Sequence, residues 1–469
     1  MASTLAQLAI LISDSVQVIE SHCATTGLDV PSLDAPFHPS SEAFRMDRTV
    51  SEAISIISIA ANQLNAILQP PHVSAMQISL GHYQSAAMHA LLEGNTVEIL
   101  REAGPQGLHV DEISSKNGID SKKQARLLRY LATKLVFREV RPDTFANNRI
   151  SSVFDTGKST DTLRLSPTER NVGFNAIINH GLVEGMLATS CLSENLLDPL
   201  TAYSEEPTAS PWNRSTGATV PYWSYIQQSG QEIRLQRFSN AMRGVASMLP
   251  RDDILHGFDW TTLRAGDIVV DVGSGVGATS LVLAKAHPQI NIILQDEQPI
   301  LDEAMRVWDI EFQAAIESDR VRMQAHDFFT DQPVKNASVF LLKNIIHDWS
   351  DSYAKNILTR LRDVATSDTR LLLVESLIEY ACKVSPRDVD DPTQIPGASP
   401  SQAPEPLLAN FGDINIMQYI TDVSMLLLHN SQERTIGHFV NLLGESGWKI
   451  RNVYRPSSSF LQQIEAVPI

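Results

Sequence analysis

From residue 267 onwards, short apolar runs alternate with segments of helical length. The runs are DIVVDV (267–272), NIILQD (291–296), VRMQAHDF (321–328), ASVFLLKNII (337–346) and TRLLLVESL (369–377). Runs of this length between helical segments predict buried strands of a mostly parallel sheet with helices on its faces. The final stretch, KIRNVYRPSSSFLQQIEAV, predicts two more strands at a sheet edge.

The first 150 residues are organised differently, with apolar positions at helical spacing. Residues 1–70 predict helices that end at Pro70 and Pro71, and residues 77–94 predict another amphipathic helix. Residues 108–150 predict a short helix, a turn, a longer helix and two short strands, the order found in a winged helix. Winged helices bind DNA in some proteins and serve as packing modules in others, so this fold leaves the function open.

Together these patterns predict an α/β chain with two domains. We expect a mainly helical, winged-helix domain over residues 1–160 and a Rossmann-like, doubly wound sheet over residues 161–469. A Pro- and Ser-rich stretch over residues 383–406 predicts a mobile insertion in the second domain.

The charge balance narrows the range of partners. The chain has 37 basic and 54 acidic residues, which gives a net charge of −17. The predicted second helix of the winged helix carries Lys122, Lys123, Arg126 and Arg129. The acidic total nevertheless argues against nucleic-acid binding, where a basic footprint is expected, and it offers no attraction to anionic membranes.

Cysteine usage and hydropathy indicate the compartment. Cys23, Cys191 and Cys382 are far apart and lack Cys-x-x-Cys spacing, so neither a disulfide framework nor a zinc site is expected. The first twenty residues lack the basic region of a leader. No apolar stretch approaches the ~20 residues that span a bilayer. We therefore expect a cytoplasmic protein.

A glycine-rich loop follows the first of these predicted strands. Gly273, Gly275 and Gly277 come after Asp271 and before a predicted helix, and Asp296 closes the second strand nineteen residues after Gly277. Closely spaced glycines let a cofactor approach the backbone. A carboxylate at the end of the second strand typically binds ribose hydroxyls. Dinucleotide sites have Gly-x-Gly-x-x-Gly, so the Gly-x-Gly-x-Gly spacing here disfavours an NAD-dependent oxidoreductase.

The stretch VFLLKNIIHDWSD (339–351) ends a predicted strand in a titratable histidine. His347 has two interpretations. It is either the structural neighbour of a helix cap formed by Asp348 or Ser350, or a proton acceptor at the sheet edge where ligands bind. An imidazole with the ordinary pKa of about 6.5 is sufficiently neutral at pH 7 to accept a proton from a phenol.

The glycine loop, HDF (326–328), LLKNIIHDWSD (341–351) and LLLVE (371–375) occur in the order found in plant- and fungal-type O-methyltransferases that depend on S-adenosyl-L-methionine (SAM). The chain resembles this family over roughly residues 75–469. Its length and Pro-rich insertion look most like fungal enzymes that methylate phenolic polyketides. The resemblance implies a class I methyltransferase fold, methylation of a hydroxyl on an aromatic secondary metabolite, S-adenosyl-L-homocysteine as product, and no metal.

The resemblance also assigns cofactor-binding residues. Gly273 and Gly275 match positions that contact the methionine part of SAM, and Asp296 matches the residue that binds the ribose. Asp327 falls where the family binds the adenine amino group. Phe328 occupies the position of a methionine that often packs on the adenine.

The catalytic and substrate-binding positions follow in the same way. Lys343 matches a lysine that lines the cofactor site, His347 matches the general base, and Glu375 and Glu433 match the two acids that hold this histidine. The segment between Asn430 and Glu433 is shorter than the Asn-Pro-Gly-Gly-x-Glu of the family. Pocket residues for an aromatic acceptor are implied at Phe238, Met242, Trp349 and Asn430.

Three further expectations come from the resemblance. The amino-terminal region makes a homodimer in the family, so the winged-helix domain is expected to be a dimerisation domain. Some relatives bind SAM but catalyse pericyclic or dehydrative steps, and retention of His347, Glu375 and Glu433 favours methylation over this alternative. A winged-helix regulator that senses SAM is a third possibility, and the acidic charge and the intact base argue against it.

Overall fold

The computed structural model describes residues 2–248, 250–383, 394–400, 402–456 and 459–469. These residues form two compact units. The first consists of Met1–Met186, Ile226–Val245 and Ala403–Ile414, and the second of Leu187–Tyr225, Ala246–Gln402 and Asn415–Ile469. The expected division into domains over 1–160 and 161–469 stays a prediction.

The helices of the described chain are α1 (Thr4–Thr26), α2 (Arg48–Leu68), α3 (Pro71–Ser79), α4 (His82–Glu93), α5 (Thr96–Ala103), α6 (Val110–Asn117), α7 (Ser121–Thr133), α8 (Thr160–Leu165), α9 (Gly173–His180), α10 (Met186–Thr189), α11 (Leu192–Leu197), α12 (Pro211–Thr216), α13 (Tyr222–Ile226), α14 (Glu232–Met248), α15 (Ala278–Ala286), α16 (Gln298–Glu311), α17 (Gln313–Glu317), α18 (Asp351–Val364), α19 (Ile416–His429) and α20 (Ile436–Glu445). The strands are β1 (Leu108–His109), β2 (Phe137–Arg141), β3 (Thr144–Asn147), β4 (Ile268–Val272), β5 (Asn291–Asp296), β6 (Val321–Ala325), β7 (Val339–Lys343), β8 (Arg370–Glu375), β9 (Trp448–Tyr454) and β10 (Gln462–Pro468). Within the described ranges, none of these helices combines the length and apolarity needed to cross a membrane.

The first unit begins with the helices expected over residues 1–70. The Ser3 side chain accepts a hydrogen bond from the Ala6 N–H and so caps α1, and the Asp47 side chain caps α2 in the same way. Leu8 of α1 shares a buried cluster with Ile59 of α2. α2 ends at Leu68, just before the two prolines, as predicted.

The winged helix is confirmed in the first unit. α6 ends at Asn117 and is followed by Gly118 with the left-handed φ of 76°, and the Asp120 side chain caps α7. The three strands pair in the order β1-β3-β2. Arg129 on α7 donates to Glu139 at 2.7 Å and to Asp143 at 2.7 Å, so acids of the strand pair neutralise one of the four basic residues of this helix.

Within the described residues, the second unit contains a seven-stranded sheet in the order β6-β5-β4-β7-β8-β10-β9. The pairs from β6 to β8 are parallel, and β10 runs antiparallel to both of its neighbours. This arrangement confirms the Rossmann-like sheet and the two further strands, β10 and β9, expected at one side of it. From β4 the chain adds β5 and β6 on one side, and it then adds β7 on the other side of β4. Open α/β sheets bind ligands at such a switch point, at the carboxyl ends of the strands.

The central strands are mostly apolar because both sheet faces are covered. Val270, Val272, Phe340, Leu342, Leu371 and Leu373 belong to one buried cluster. Val269, Val339, Leu341, Leu372 and Val374 belong to a second. Alternate residues of one strand thus enter different cores, as the two-residue period of a strand requires.

The Pro- and Ser-rich stretch over 383–406 is described only in part, because residues 384–393 and 401 lie outside the described residues. Its described part makes specific contacts. The Val453 N–H donates to the Pro396 carbonyl at 2.9 Å, and Ala398 is buried in the second unit. Ala403 is buried in the first unit.

Candidate active site

The glycine loop connects β4 to α15 and is attached to the end of β5. The N–H groups of Gly273 and Ser274 donate to the Gln295 carbonyl at 2.8 and 3.0 Å. Gly273 and Gly275 have φ values of 70° and 56°, in the left-handed region that favours glycine. The loop therefore needs glycine at both positions for its backbone alone.

The two glycines differ in what surrounds them. A Cβ atom at Gly273 would collide with the Ile345 side chain, whereas a Cβ atom at Gly275 would meet no protein atom within 4 Å. The first glycine is therefore needed for packing. The second borders open space, and this fits the close approach of a cofactor to the backbone.

Asp296 lies at the end of β5 and supports the same loop. Its Oδ2 accepts the Gly275 N–H at 2.8 Å, and its Oδ1 accepts the Glu297 N–H at 2.8 Å. Burial raises the pKa of this carboxyl group, and the two hydrogen bonds lower it by less than burial raises it. Each oxygen retains a lone pair, so the carboxylate fits a diol donor such as a ribose.

The other expected cofactor residues lie at neighbouring strand ends. The Asp327 carboxylate accepts the Phe329 N–H at 2.9 Å, which shapes the turn after β6. Phe328 is half-buried against the core, with its ring close to Gly273. The Lys343 ammonium pairs with the buried Asp253 carboxylate at 3.3 Å, a partner that the sequence did not indicate.

His347 follows β7 in a tight loop before α18. The chain turns at Asn344, which has a φ of 54°, and passes through a short 3₁₀ turn over Ile346–Asp348. The His347 Nδ1 lies 2.7 Å from the Glu433 Oε1, a short charge-assisted hydrogen bond. Since Nδ1–H donates to the carboxylate, Nε2 carries the lone pair in the neutral imidazole.

Glu375 holds the loop rather than the ring. Its Oε1 accepts the backbone N–H groups of Ile345 and Ile346 at 3.1 and 2.8 Å. Its Oε2 lies 4.0 Å from the His347 Nδ1, beyond hydrogen-bond distance. Glu433 is therefore the direct partner of the imidazole, and Glu375 acts on the backbone that carries it.

The electrostatics of the cluster favour a bound proton. Burial alone lowers the pKa of His347, but three surrounding carboxylates, one of them the hydrogen-bonded Glu433, outweigh burial and raise the pKa to about 10. Burial also raises the pKa of Asp348, which lies 3.6 Å from Nε2, and that of Glu375. The surrounding carboxylates thus favour the protonated imidazole more than the expectation based on its ordinary pKa.

Donor atoms of His347, Glu375 and Glu433 lie within 4.8 Å of one another, close enough to consider a metal ion. The 2.7 Å between Nδ1 and Oε1 is a hydrogen-bond distance, whereas two ligands of one zinc ion stand about 3 Å or more apart. These side chains would have to separate to take up a metal. The expectation that no metal takes part stays a prediction.

The residues expected to bind the acceptor lie in both units. In the second unit, the Trp349 ring stacks on Tyr353 with centroids 5.8 Å apart. The Asn430 amide donates to the carbonyls of Ser204 and Glu206, at 2.8 and 3.0 Å.

Phe238 and Met242 are on α14 in the first unit. The Phe238 ring packs edge-on against His180 at 5.6 Å, and Met242 is exposed. The acceptor-binding role of all four residues stays a prediction.

The sequence did not indicate two residues next to Glu433. Asp422 on α19 accepts the Glu433 N–H at 2.9 Å. Arg434 is buried and contacts the loop that carries His347. Both look like ordinary charged positions in the sequence, since local pattern does not reveal which arginine is buried.

This strand order, with a glycine loop at the switch point and with His347 and Glu375 after neighbouring strands, defines a class I methyltransferase. A family profile described as the O-methyltransferase domain matches residues 194–389. The chain is 40% identical to 4-O-methyltransferase 1 of Phanerochaete chrysosporium, with 100% of both chains covered. It is 38% identical to an O-methyltransferase of Armillaria gallica, again with 100% of both covered. The chain therefore belongs to the O-methyltransferase family and is a SAM-dependent enzyme of the fungal type.

Other comparisons agree with this fold. O-methyltransferase gedA of Aspergillus terreus is 30% identical over 91% of this chain and 88% of its own. The crystal structure of OxaC has a TM-score of 0.63 at 18% identity, covering 98% of this chain and 100% of that chain. The mitomycin 7-O-methyltransferase MmcR has a TM-score of 0.61 at 21% identity, covering 85% and 98%. A pericyclic reaction enzyme has a TM-score of 0.62 at 17% identity, covering 98% and 99%. At such identities the structural likeness shows the fold alone.

Proposed function

We propose that this O-methyltransferase methylates a hydroxyl of a phenolic secondary metabolite of the polyketide class, with His347 as the general base. The 2.7 Å hydrogen bond between His347 and Glu433 carries the proposal. A fold that only binds SAM has no need of a buried, carboxylate-oriented imidazole, whereas proton removal from a hydroxyl does.

The residues have separable tasks. SAM, when bound, supplies a methyl group that is already activated by the sulfonium. Glu433 holds His347 through Nδ1, so the neutral form of the ring accepts the proton at Nε2, and Glu375 fixes the backbone of the loop. The pKa of about 10 at His347 is close to that of a phenol, about 10. Proton transfer between the two is therefore nearly balanced, and general-base help of this kind contributes roughly 10²–10⁴ in rate.

We assign the cofactor to the carboxyl ends of β4, β5 and β6. The open space at Gly275 and the carboxylate of Asp296 support contacts with the methionine part and the ribose. Asp327 and Phe328 are assigned to the adenine. Gly273 is assigned with Gly275 to the methionine part, and Lys343 is assigned to the lining of the cofactor site while paired with Asp253.

The acceptor is assigned by chemistry and by relatives. Two relatives carry names that specify a numbered oxygen, 4-O-methyltransferase 1 and 3-O-methyltransferase 2, both of Phanerochaete chrysosporium. Such names fit acceptor molecules that have more than one oxygen to which a methyl group can be transferred. We assign Phe238, Met242, Trp349 and Asn430 to acceptor binding, where aromatic and apolar side chains suit a planar phenol.

We also propose a homodimer formed through the amino-terminal helices. Among exposed apolar residues of the first unit are Ile10, Ile67, Leu68, Met76 and Ile78, and a dimer interface would remove such side chains from water. Light scattering with size-exclusion chromatography tests this. A mass of twice 51.7 kDa is expected, and a monomer at micromolar concentration would contradict it.

The function is tested by incubating the purified protein with isotope-labelled SAM and a panel of phenolic polyketides, followed by mass spectrometry. Labelled product is expected together with an equal amount of S-adenosylhomocysteine. The His347→Ala variant is the control for non-enzymatic transfer. If a panel member is converted without gaining a methyl group while SAM stays intact, the protein is instead a SAM-assisted rearrangement or dehydration catalyst, the alternative that the likeness to a pericyclic reaction enzyme keeps open.

A further inference from the structure

Arg434 directly follows Glu433 in sequence, and its guanidinium group is completely buried. Burying such a charge is costly unless its donors are satisfied. Each of its three nitrogens has an acceptor. Nε donates to the Asp351 Oδ1 at 3.0 Å, Nη1 donates to the Ile346 carbonyl at 2.9 Å, and Nη2 donates to the Trp349 carbonyl at 2.7 Å.

The two carbonyl groups enclose the catalytic loop. Ile346 immediately precedes His347, and Trp349 lies two residues after it. The planar fork of an arginine can bridge two such acceptors in one fixed geometry, which a lysine ammonium cannot do. Arg434 thereby ties both ends of this short stretch to the segment that carries Glu433.

The Arg434 backbone also contacts the segment after Glu375. The Ile378 N–H donates to the Arg434 carbonyl at 3.1 Å, and Leu377 forms an isolated parallel bridge with Arg434. The three segments that carry His347, Glu375 and Glu433 therefore meet at one residue.

The charge of Arg434 is balanced by one carboxylate. Asp351 begins α18 and also lies 2.7 Å from the His438 Nε2. Burial alone raises the pKa of Asp351, but hydrogen bonds and charge from His438 and Arg434 lower it to about 2. Asp351 therefore stays ionised at all working pH values.

We propose that Arg434 is a positioning residue for methyl transfer, which fixes the distance and orientation between the His347 imidazole and the Glu433 carboxylate. It contacts neither the reacting proton nor the cofactor loop. This role rests on the proposed function of His347 as base.

The first test compares Arg434→Lys with Arg362→Lys. Arg362 on α18 likewise donates to two backbone carbonyls, those of Gly447 at 2.9 Å and Ile469 at 2.7 Å, but it does not touch the catalytic segments. Arg434→Lys is expected to lower kcat by about 10–100-fold, since a misplacement of about 1 Å costs on that order, with an unchanged Kd for SAM. Arg362→Lys is expected to keep the wild-type kcat.

The second test does not require turnover. NMR titration of histidine labelled at Cε1, with the His347 signal assigned from its loss in His347→Gln, reports the pKa of the imidazole. Lysine keeps the charge of arginine, so a lowered His347 pKa in Arg434→Lys reports a changed geometry. If the wild-type protein methylates no phenol, the proposed function fails, whereas this titration still decides the role of Arg434.

The outcomes are distinct. A wild-type kcat with an unmoved His347 titration in Arg434→Lys overturns the proposal, and so does an equal loss of kcat in Arg362→Lys. If Arg434→Lys does not fold, as judged by absent SAM binding, Asp351→Asn replaces it. That variant is expected to lose kcat with an unchanged Kd for SAM, and wild-type turnover in it would overturn the proposal.

Discussion

The Nδ1 atom of His347 and the Oε1 atom of Glu433 lie 2.7 Å apart, although 86 residues separate them in sequence. The bond forms because β7 ends beside the segment that follows α19, and the Glu433 backbone is itself held by Asp422. A carboxylate at this distance fixes the tautomer of the ring and stabilises its charged form.

Replacement of His347 by alanine removes the proposed base without touching the glycine loop. Methyl transfer is expected to fall by about 10²–10⁴-fold, the usual contribution of general-base catalysis. Labelled methyl transfer measures the rate, and isothermal titration calorimetry measures the Kd for SAM, which is expected to stay unchanged. His256→Ala, at an exposed histidine that pairs with Asp252, is the matched control. Normal turnover by His347→Ala would exclude the general-base role.

The pH dependence of kcat/KM is expected to follow the raised pKa of His347. A base with a pKa of about 10 is protonated at neutral pH, so the reactive form has lost one proton. kcat/KM should then rise about tenfold per pH unit over the range below pH 10.

Glu433→Gln identifies the titrating group. Removing this carboxylate lowers the pKa of His347, so the rising part of the profile is expected to move to lower pH while the maximal rate falls. A profile that keeps its position in Glu433→Gln would show that another group, such as the acceptor phenol itself, is titrating.

Replacement of Asp296 by alanine is expected to weaken SAM binding. The loss includes a proposed bond to the ribose and the support of the Gly275 N–H. A hydrogen bond to a charged group contributes about 1.5–3 kcal/mol, which corresponds to roughly 10–100-fold in Kd. Calorimetric titration measures it, with Asp302→Ala on the exposed face of α16 as control. An unchanged Kd in Asp296→Ala would place the ribose elsewhere.

Replacing three glycines one at a time by alanine distinguishes the effects of backbone strain, packing and ligand contact. Gly266, Gly273 and Gly275 all have positive φ, so each substitution costs about 1–2 kcal/mol of stability. Gly273→Ala is expected to be the least stable, because its Cβ collides with Ile345, while Gly266 and Gly275 have open space.

Thermal unfolding measures the stability of these variants, and a binding titration measures their affinity for SAM. Gly275→Ala is expected to lose SAM affinity at nearly the same Tm as Gly266→Ala, since the added methyl group fills the proposed ligand space. Equal SAM affinity in Gly266→Ala and Gly275→Ala would contradict the assignment of the methionine part of SAM to Gly275.

The strands show how well the local sequence pattern predicts the bounds of secondary-structure elements. β4 and β5 match the predicted runs to within a residue, because buried parallel strands are apolar throughout. The run over 337–346 continues after Lys343 and Asn344 with two isoleucines, yet β7 stops at Lys343. The N–H groups of Ile345 and Ile346 bond to Glu375 instead of to a neighbouring strand. An apolar run does not reveal which partner its backbone finds.

The sequence by itself determined the class of fold, the glycine loop, and the strand ends at which His347, Asp296 and Glu375 occur. Local periodicity and the parallel arrangement are sufficient for these, because such a sheet brings the carboxyl ends of its strands to one edge. Only the tertiary structure decided that Glu433 contacts the imidazole directly, that Glu375 binds the loop backbone, and that Arg434 is buried between them. Those contacts join segments distant in sequence, and the surrounding carboxylates set the proton affinity of His347, so neither spacing nor composition encodes them.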